Sequence, residues 1–256
     1  MREITSPTNP LIKSIVRLRD RHRRDDTHMF IIEGFDELDR ARLRPDLVID
    51  TVLTSQGESY TPLANEEIIS VTDAVFEKVA VRGPAARLLA VARQFDTSLA
   101  ALPHTNDLVL IAEGIEKPGN LGTMLRTADA VGAAVVVCDP LVDVFNPSVV
   151  RASLGCLFSV PIATGSVNEI VAWASGHTTV VATPEAPRTL FELDLTGPTA
   201  VVIGSEHSGV SAAWKRSANV LCSIPMAGHA DSLNAATSAA VMLYEAVRQR
   251  QLPKNR

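Results

Sequence analysis

Five short apolar runs divide the second half of this chain: Leu108–Ala112, Ala134–Cys138, Thr179–Ala182, Ala200–Ile203 and Leu221–Ile224. Runs of this length rich in Val, Ile and Ala read as strands buried on both faces. Helices are expected between and after them, at Asn120–Val131, roughly Val167–Ser175, and Asn234–Arg250. Strands that alternate with helices form a mostly parallel sheet, here an α/β fold with helices on both faces. Several of the runs end in Gly-rich turns holding polar residues. In such folds the strand ends are where ligands bind.

The first hundred residues have a different order. A helix over residues 5–24 opens the chain, with Ser6-Pro7 or Asn9-Pro10 as its start. A strand at 29–34, a helix at 36–44, strands at 47–54 and 68–71, a helix at 73–79 and a strand at 88–92 follow. These make a small α/β domain over about residues 25–99. The polar stretch 94–106, with Pro103, marks the boundary to a domain over 104–256.

Net charge is −5, which does not advertise a nucleic-acid binder. The distribution says more. Residues 1–24 carry seven basic side chains against two acidic ones, a net of +5, which leaves −10 on the other 232 residues. A basic arm on an acidic body attracts phosphates locally, because salt confines its field to about 8–10 Å. Cys138, Cys156 and Cys222 are odd in number and widely spaced, in apolar surroundings, and read as buried reduced thiols. No metal-type pairing such as Cys-x-x-Cys occurs. There is no signal-peptide core at the N-terminus and no apolar run of about 20 residues, so a soluble cytoplasmic protein is expected.

Three segments carry chemistry. The first, Glu113 to Arg126, contains Pro118-Gly119-Asn120, with Asn120 a natural N-cap and Arg126 six residues later. The second is Val202-Ile203-Gly204-Ser205-Glu206-His207-Ser208-Gly209. The third joins Ile224-Pro225-Met226-Ala227-Gly228 to Ser232-Leu233-Asn234, where both Ser232 and Asn234 suit a helix N-terminus. His207 and His229 read as loop residues.

Together these segments resemble the three motifs of the SpoU family, the RNA ribose 2′-O-methyltransferases of the knotted SPOUT class. The resemblance covers residues 104–251 well and the N-terminal part more loosely. It implies a deep trefoil knot, a feature otherwise nearly absent from proteins, and a homodimer whose active sites are completed across the interface. Val241, Leu243 and Val247 of the last helix would be available to pack there. It also implies S-adenosylmethionine as cofactor and no metal. Arg126, Asn120, Glu206, Ser232 and Asn234 take the catalytic positions. Thr183, Ile203, Gly204, Ser205, Glu206, Ile224, Met226, Gly228, Ser232 and Leu233 take the cofactor positions. After Asn234 the chain reads Ala235-Ala236-Thr237-Ser238 where many relatives have Val and Ser, which implies a lost hydroxyl near the site.

The small domain resembles the ribosomal-protein-like module that selects RNA in many family members. The stretch Asn146–Gly155 resembles the family's link between the first two motifs, and leaves Arg151 either reaching phosphate or in a structural ion pair. Ribosomal 23S RNA is the substrate that the resemblance favours. Transfer RNA and a non-catalytic RNA-binding role are the competing readings. A Rossmann dehydrogenase fails, because no Gly-x-Gly-x-x-Gly follows the first strand.

Overall fold

A computed structural model describes residues 2–58, 60–61, 66–81, 86–103 and 106–251. His104 and Thr105, within the boundary stretch, lie outside the described residues. The first part of the chain runs β1 (Arg2–Ile4), α1 (Pro10–Arg17), α2 (Arg21–Thr27), β2 (Met29–Glu33), α3 (Phe35–Ala41), β3 (Ile49–Ser55), β4 (Glu67–Val71), α4 (Asp73–Val79) and β5 (Leu88–Arg93). The rest runs β6 (Leu108–Glu113), α5 (Pro118–Val131), β7 (Ala134–Cys138), α6 (Pro147–Ala152), β8 (Ile162–Gly165), α7 (Val167–Trp173), β9 (Thr178–Ala182), β10 (Thr199–Ile203), α8 (Ala212–Ser217), β11 (Val220–Cys222) and α9 (Ala235–Gln251).

These elements form two compact units. One is Met1–Phe95 with Asp143–Ser159, the other Asp96–Val142 with Val160–Arg256. The division is therefore not contiguous, since α6 and its flanks belong with the first unit. Phe145 packs against Phe30 and Phe95 at 4.9 Å between ring centroids, which holds the segment there.

The first unit has a five-stranded sheet in the order β1-β4-β3-β5-β2, parallel across β1-β4-β3 and antiparallel across β3-β5-β2. Two expectations about its N-terminus need correcting. The single helix over 5–24 is two helices, broken at Leu18–Asp20, where the Asp20 side chain accepts from the backbone N–H of His22 and starts α2. Nor is this stretch a free arm. Ile12, Ile15 and Leu18 lie in the core, each worth about 1.5–3 kcal/mol of burial. Arg24 is also buried. Its guanidinium pairs with Asp143 and donates to the carbonyls of Leu18 and Arg19 at 2.8 and 2.9 Å. Arg19 donates to the carbonyls of Lys78 and Ala80. Much of the positive charge is thus spent inside the fold.

The second unit has six strands, all parallel, in the order β11-β9-β10-β6-β7-β8. Every residue of β6, β7 and β10 is buried, as apolar runs covered on both faces should be. β8 was not expected. It is an edge strand in which only Ile162 and Ala163 are buried, too little apolar sequence to stand out. α8 was missed for a similar reason: it is six residues long, and Trp214 alone is buried.

Candidate active site

Parallel register aligns the strand ends. Ile203 of β10 pairs with Ala112 of β6, and Cys222 of β11 with Ala182 of β9. The turns that follow these four strands therefore open along one carboxyl edge of the sheet, and the three sequence motifs lie on three of those turns.

α5 begins at Pro118. Its N-cap is Lys117, which makes no side-chain cap bond. The expectation that Asn120 caps this helix is thus not met. Asn120 sits inside the first turn, and its Nδ2 donates to Glu206 Oε1 at 2.8 Å. Asn234 does cap its helix: its Oδ1 accepts the N–H groups of Ala236 and Thr237 at 2.9 and 3.4 Å. That fixes the other end of the amide, whose Nδ2 donates to Glu206 Oε1 and to Asn120 Oδ1. The Lys117 ammonium pairs with Glu206 Oε2. One carboxylate thus gathers donors from the first and third motifs. The Lys117 and Asn120 bonds hold the Glu206 carboxyl below the usual carboxylate range.

The second loop folds back on itself. Gly209 N–H donates to Ser205 O, and Ser208 N–H to Ser205 Oγ, both at 3.0 Å. A Cβ at Gly204 would lie 2.2 Å from the backbone of Gly209. The return of the loop alone therefore requires glycine there, whether or not a ligand approaches.

A cavity of about 560 Å³ opens between the second and third loops. Of the residues named for a cofactor, Thr183, Ile203, Gly204, Ser205, Glu206, Ile224, Met226, Ser232 and Leu233 line it. Gly228 is the exception: it is exposed and lies outside the lining. Glu185, Asp231, Lys215 and Ser238 line the cavity too, though no motif pointed to them. Ser238 corrects the expectation of a lost hydroxyl, since one turn of α9 brings its side chain back to the site. A second cavity of about 530 Å³ is lined by Ile115, Glu116, Lys117, Asn120, Glu206 and His207. Glu206 and His207 border both cavities, so His207 is more than a loop residue.

Arg126 stands apart. It is exposed, lines neither cavity, and has no hydrogen-bond or ionic partner among the described residues. Arg151 is exposed on α6, in the first unit. All three cysteines are free and buried. Burial pushes the Cys138 thiol up to about 12 and that of Cys222 up to about 11. Cys138 approaches Glu113 and Asp139 closely enough to suggest a metal trio. The Glu113 carboxylate accepts the Ser211 N–H at 2.8 Å.

The larger cavity fits S-adenosylmethionine in size and chemistry. Cofactor sites run to about 300–1,000 Å³ with mostly apolar walls and a few convergent polar groups. Here Ile203, Val210, Ile224, Met226 and Leu233 offer apolar walls, Thr183 and Ser232 offer hydroxyls, and Glu185 and Asp231 suit a ligand that carries positive charge.

Residues 107–244 match the model of the SpoU rRNA methylase family, and residues 9–90 that of the MRM3-like substrate binding domain. A 23S rRNA (uridine(2479)-2′-O)-methyltransferase of Streptomyces viridochromogenes is 37% identical over 203 residues, 75% of this chain and 71% of that protein. A solved RNA 2′-O ribose methyltransferase shares 40% identity at a TM-score of 0.84, across 98% of this chain and 100% of that one. The SpoU methyltransferase AviRb of Streptomyces viridochromogenes, solved in complex with the cofactor AdoMet, shares 29% identity at a TM-score of 0.86, across 94% and 98%. The α/β architecture, the converging motifs and a family match over more than half its length make this chain a member of the SpoU rRNA methylase family.

Proposed function

We propose that this protein is an S-adenosylmethionine-dependent RNA ribose 2′-O-methyltransferase that acts on 23S ribosomal RNA. The observation that carries the reading is the convergence of Asn120, Glu206 and Asn234, from three separate motifs, at the rim of the larger cavity. A carrier or scaffold protein has no need of that cluster, which argues against a non-catalytic role.

Thr183, Ile203, Ser205, Ile224, Met226, Ser232 and Leu233 would hold the cofactor. When bound, S-adenosylmethionine supplies a methyl group activated by its sulfonium charge. The chain's own task is to orient the ribose 2′-hydroxyl and to stabilise the negative charge that develops on its oxygen. Glu206, ionised and fixed by its donors, orients the ribose. Asn120 and Asn234 fix Glu206, and Ser232 offers a hydroxyl beside it. Arg126 carries a planar guanidinium fork suited to gripping phosphate. We assign it as a clamp for phosphate and developing negative charge.

Arg126 is exposed and meets no partner among the described residues, which leaves it available to serve a partner's site in a homodimer. C₂ pairs are the commonest closed assembly. The packing surface differs from the sequence expectation. Leu243 is fully buried within the chain, whereas Tyr244 is 54% exposed and Val241 half-buried on the same helix. We read residues 25–99 as the RNA-selecting, ribosomal-protein-like module and 104–256 as the catalytic domain. The match of residues 9–90 to a substrate-binding model supports the former. On family grounds, the third-motif loop is the threaded part of a deep trefoil knot. No described helix is long and apolar enough to cross a membrane, and a cytoplasmic location is assigned with the substrate.

Transfer of tritiated methyl groups to purified 23S rRNA and to transfer RNA, followed by nucleoside analysis, tests the reading. A 2′-O-methylated nucleoside from 23S rRNA alone is expected. Label in transfer RNA alone would reassign the substrate, and label in neither would overturn the activity.

A further inference from the structure

Glu206 is surrounded almost entirely by donors. From α5 come the Lys117 ammonium and Asn120 Nδ2. From the start of α9 come Asn234 Nδ2 and the Ala235 backbone N–H. Asn120 Oδ1 is itself engaged by Asn234 at 3.2 Å. Protonation of Glu206 would forfeit the ion pair with Lys117 and weaken the bonds from the two amides. The two oxygens are also held differently. The amides share Oε1, whereas Lys117 holds Oε2. Without Lys117 the carboxyl group loses the charged donor that holds Oε2.

Lys117 is unusual in its surroundings. Among the described residues it is the only Lys or Arg lining the smaller cavity; the other charged or titratable side chains there are Glu116, Glu206 and His207. Across Glu206, the larger cavity adds Glu185, Lys215 and Asp231. The Lys117 side chain is 67% exposed against 28% for that of Glu206. An exposed ion pair of this kind contributes little to stability, so folding alone gives little reason for a lysine here.

We propose that Lys117 is a positioning residue for methyl transfer: it fixes the plane and the charge of Glu206 and so sets the lower pH limit of the reaction. This rests on the assignment of Glu206 to the active site. Of the groups that lower the Glu206 pKa, Lys117 acts most strongly. A depressed carboxyl pKa keeps the ionised form present as pH falls. Loss of Lys117 raises that pKa, so activity should disappear at a higher pH on the acid side.

The test compares wild type, Lys117→Met, Lys117→Gln and Lys117→Arg. Single-turnover transfer to 23S rRNA is followed from about pH 3.5 to 8, S-adenosylmethionine affinity is measured by calorimetry, and the Glu206 carboxyl is titrated by carbon-13 NMR over the same range. In Lys117→Met and Lys117→Gln the acid limb and the Glu206 titration should both move to higher pH, with the loss of rate confined to the acid side. Cofactor affinity should stay within about threefold, and Lys117→Arg should restore the wild-type limb. An unmoved Glu206 titration in Lys117→Met or Lys117→Gln overturns the proposal, as does a uniform rate loss at every pH that Lys117→Arg does not rescue. If Lys117→Met fails to fold, Lys117→Gln and Lys117→Arg carry the same comparison. A wild type that methylates no RNA would refute the proposed activity, while the NMR titration would still decide whether Lys117 controls Glu206.

Discussion

Glu206 and Arg126 both occupy polar positions in the family motifs, yet their surroundings are opposite. Glu206 is gripped by Lys117, Asn120 and Asn234. Arg126 lies six residues beyond Asn120 on α5 and has no such partner among the described residues. At about 100° per residue, six positions turn it roughly 120° away from Asn120 around the helix. The contrast separates two ways to build a site. A carboxylate at a strand end is fixed by convergence within one chain, whereas a cation on the solvent side of a helix is left open to solvent and, under the proposed function, to RNA or a second copy.

Breaking the Arg126 half should have the largest effect. Arg126→Ala and Arg126→Lys should both fold and bind S-adenosylmethionine within about threefold, because Arg126 lines neither cavity. Single-turnover methylation should fall by at least about 10²-fold for Ala, roughly 2.7 kcal/mol of transition-state stabilisation. Lys keeps the charge but loses the planar fork and should also lose most activity. A near-wild-type rate for Ala would shift the role to Glu206 or to a third-motif residue. Mixing unfolded-and-refolded Arg126→Ala with Glu206→Gln sharpens the comparison. If Arg126 serves the partner's site, random dimers should recover about a quarter of wild-type activity, since half are mixed and each has one intact site. If it serves its own site, nothing should return.

Breaking the preformed half should cost less in rate but show directly in cofactor affinity. Gly204→Val puts a branched side chain where a Cβ alone would meet the Gly209 backbone at 2.2 Å. The loop must open, and its cavity-lining residues from Ser205 to Val210 should move with it. Calorimetry should show at least a tenfold loss of affinity, on the order of 1.4 kcal/mol. Unchanged affinity in a folded variant would remove this loop from the cofactor site.

The same contrast explains how much the sequence made legible. β6, β7 and β10 were readable because complete burial forces an unbroken apolar run. β8 and β1 were not, because an edge strand leaves half its residues polar and needs only three or four. Glu206, Asn120 and Asn234 were named through motif resemblance, but their mutual hydrogen bonds, and Lys117 with them, depend on strand register that no local pattern reports. Asn120 shows the limit well. An Asn after Pro-Gly looks like a cap, yet Pro118 had already started the helix, leaving the Asn side chain for another use. In the N-terminal region the charge count was right but its use was not. Arg24 and Arg19 look identical to solvent-facing arginines in sequence, and only packing shows that they hold backbone carbonyls and Asp143.

That distinction between spent and unspent cations frames the smallest expected effect. Lys13 and Arg17 lie one turn apart on the exposed face of α1, with no acidic partner among the described residues. They remain available to phosphates, whereas deleting residues 1–24 would remove Ile12, Ile15 and Leu18 from the core and unfold the unit rather than test RNA binding. The double variant Lys13→Gln, Arg17→Gln should fold normally, bind S-adenosylmethionine as wild type does, and weaken RNA binding several-fold at low salt. If both contact phosphate, the slope of log affinity against log salt should fall by about 1.4, two contacts at about 0.7 each for single-stranded RNA. Specificity among RNA sequences should not change, because phosphate contacts position without reading bases. Fluorescence anisotropy across a salt series measures the slope. A slope equal to wild type would show that these two cations meet solvent and not phosphate.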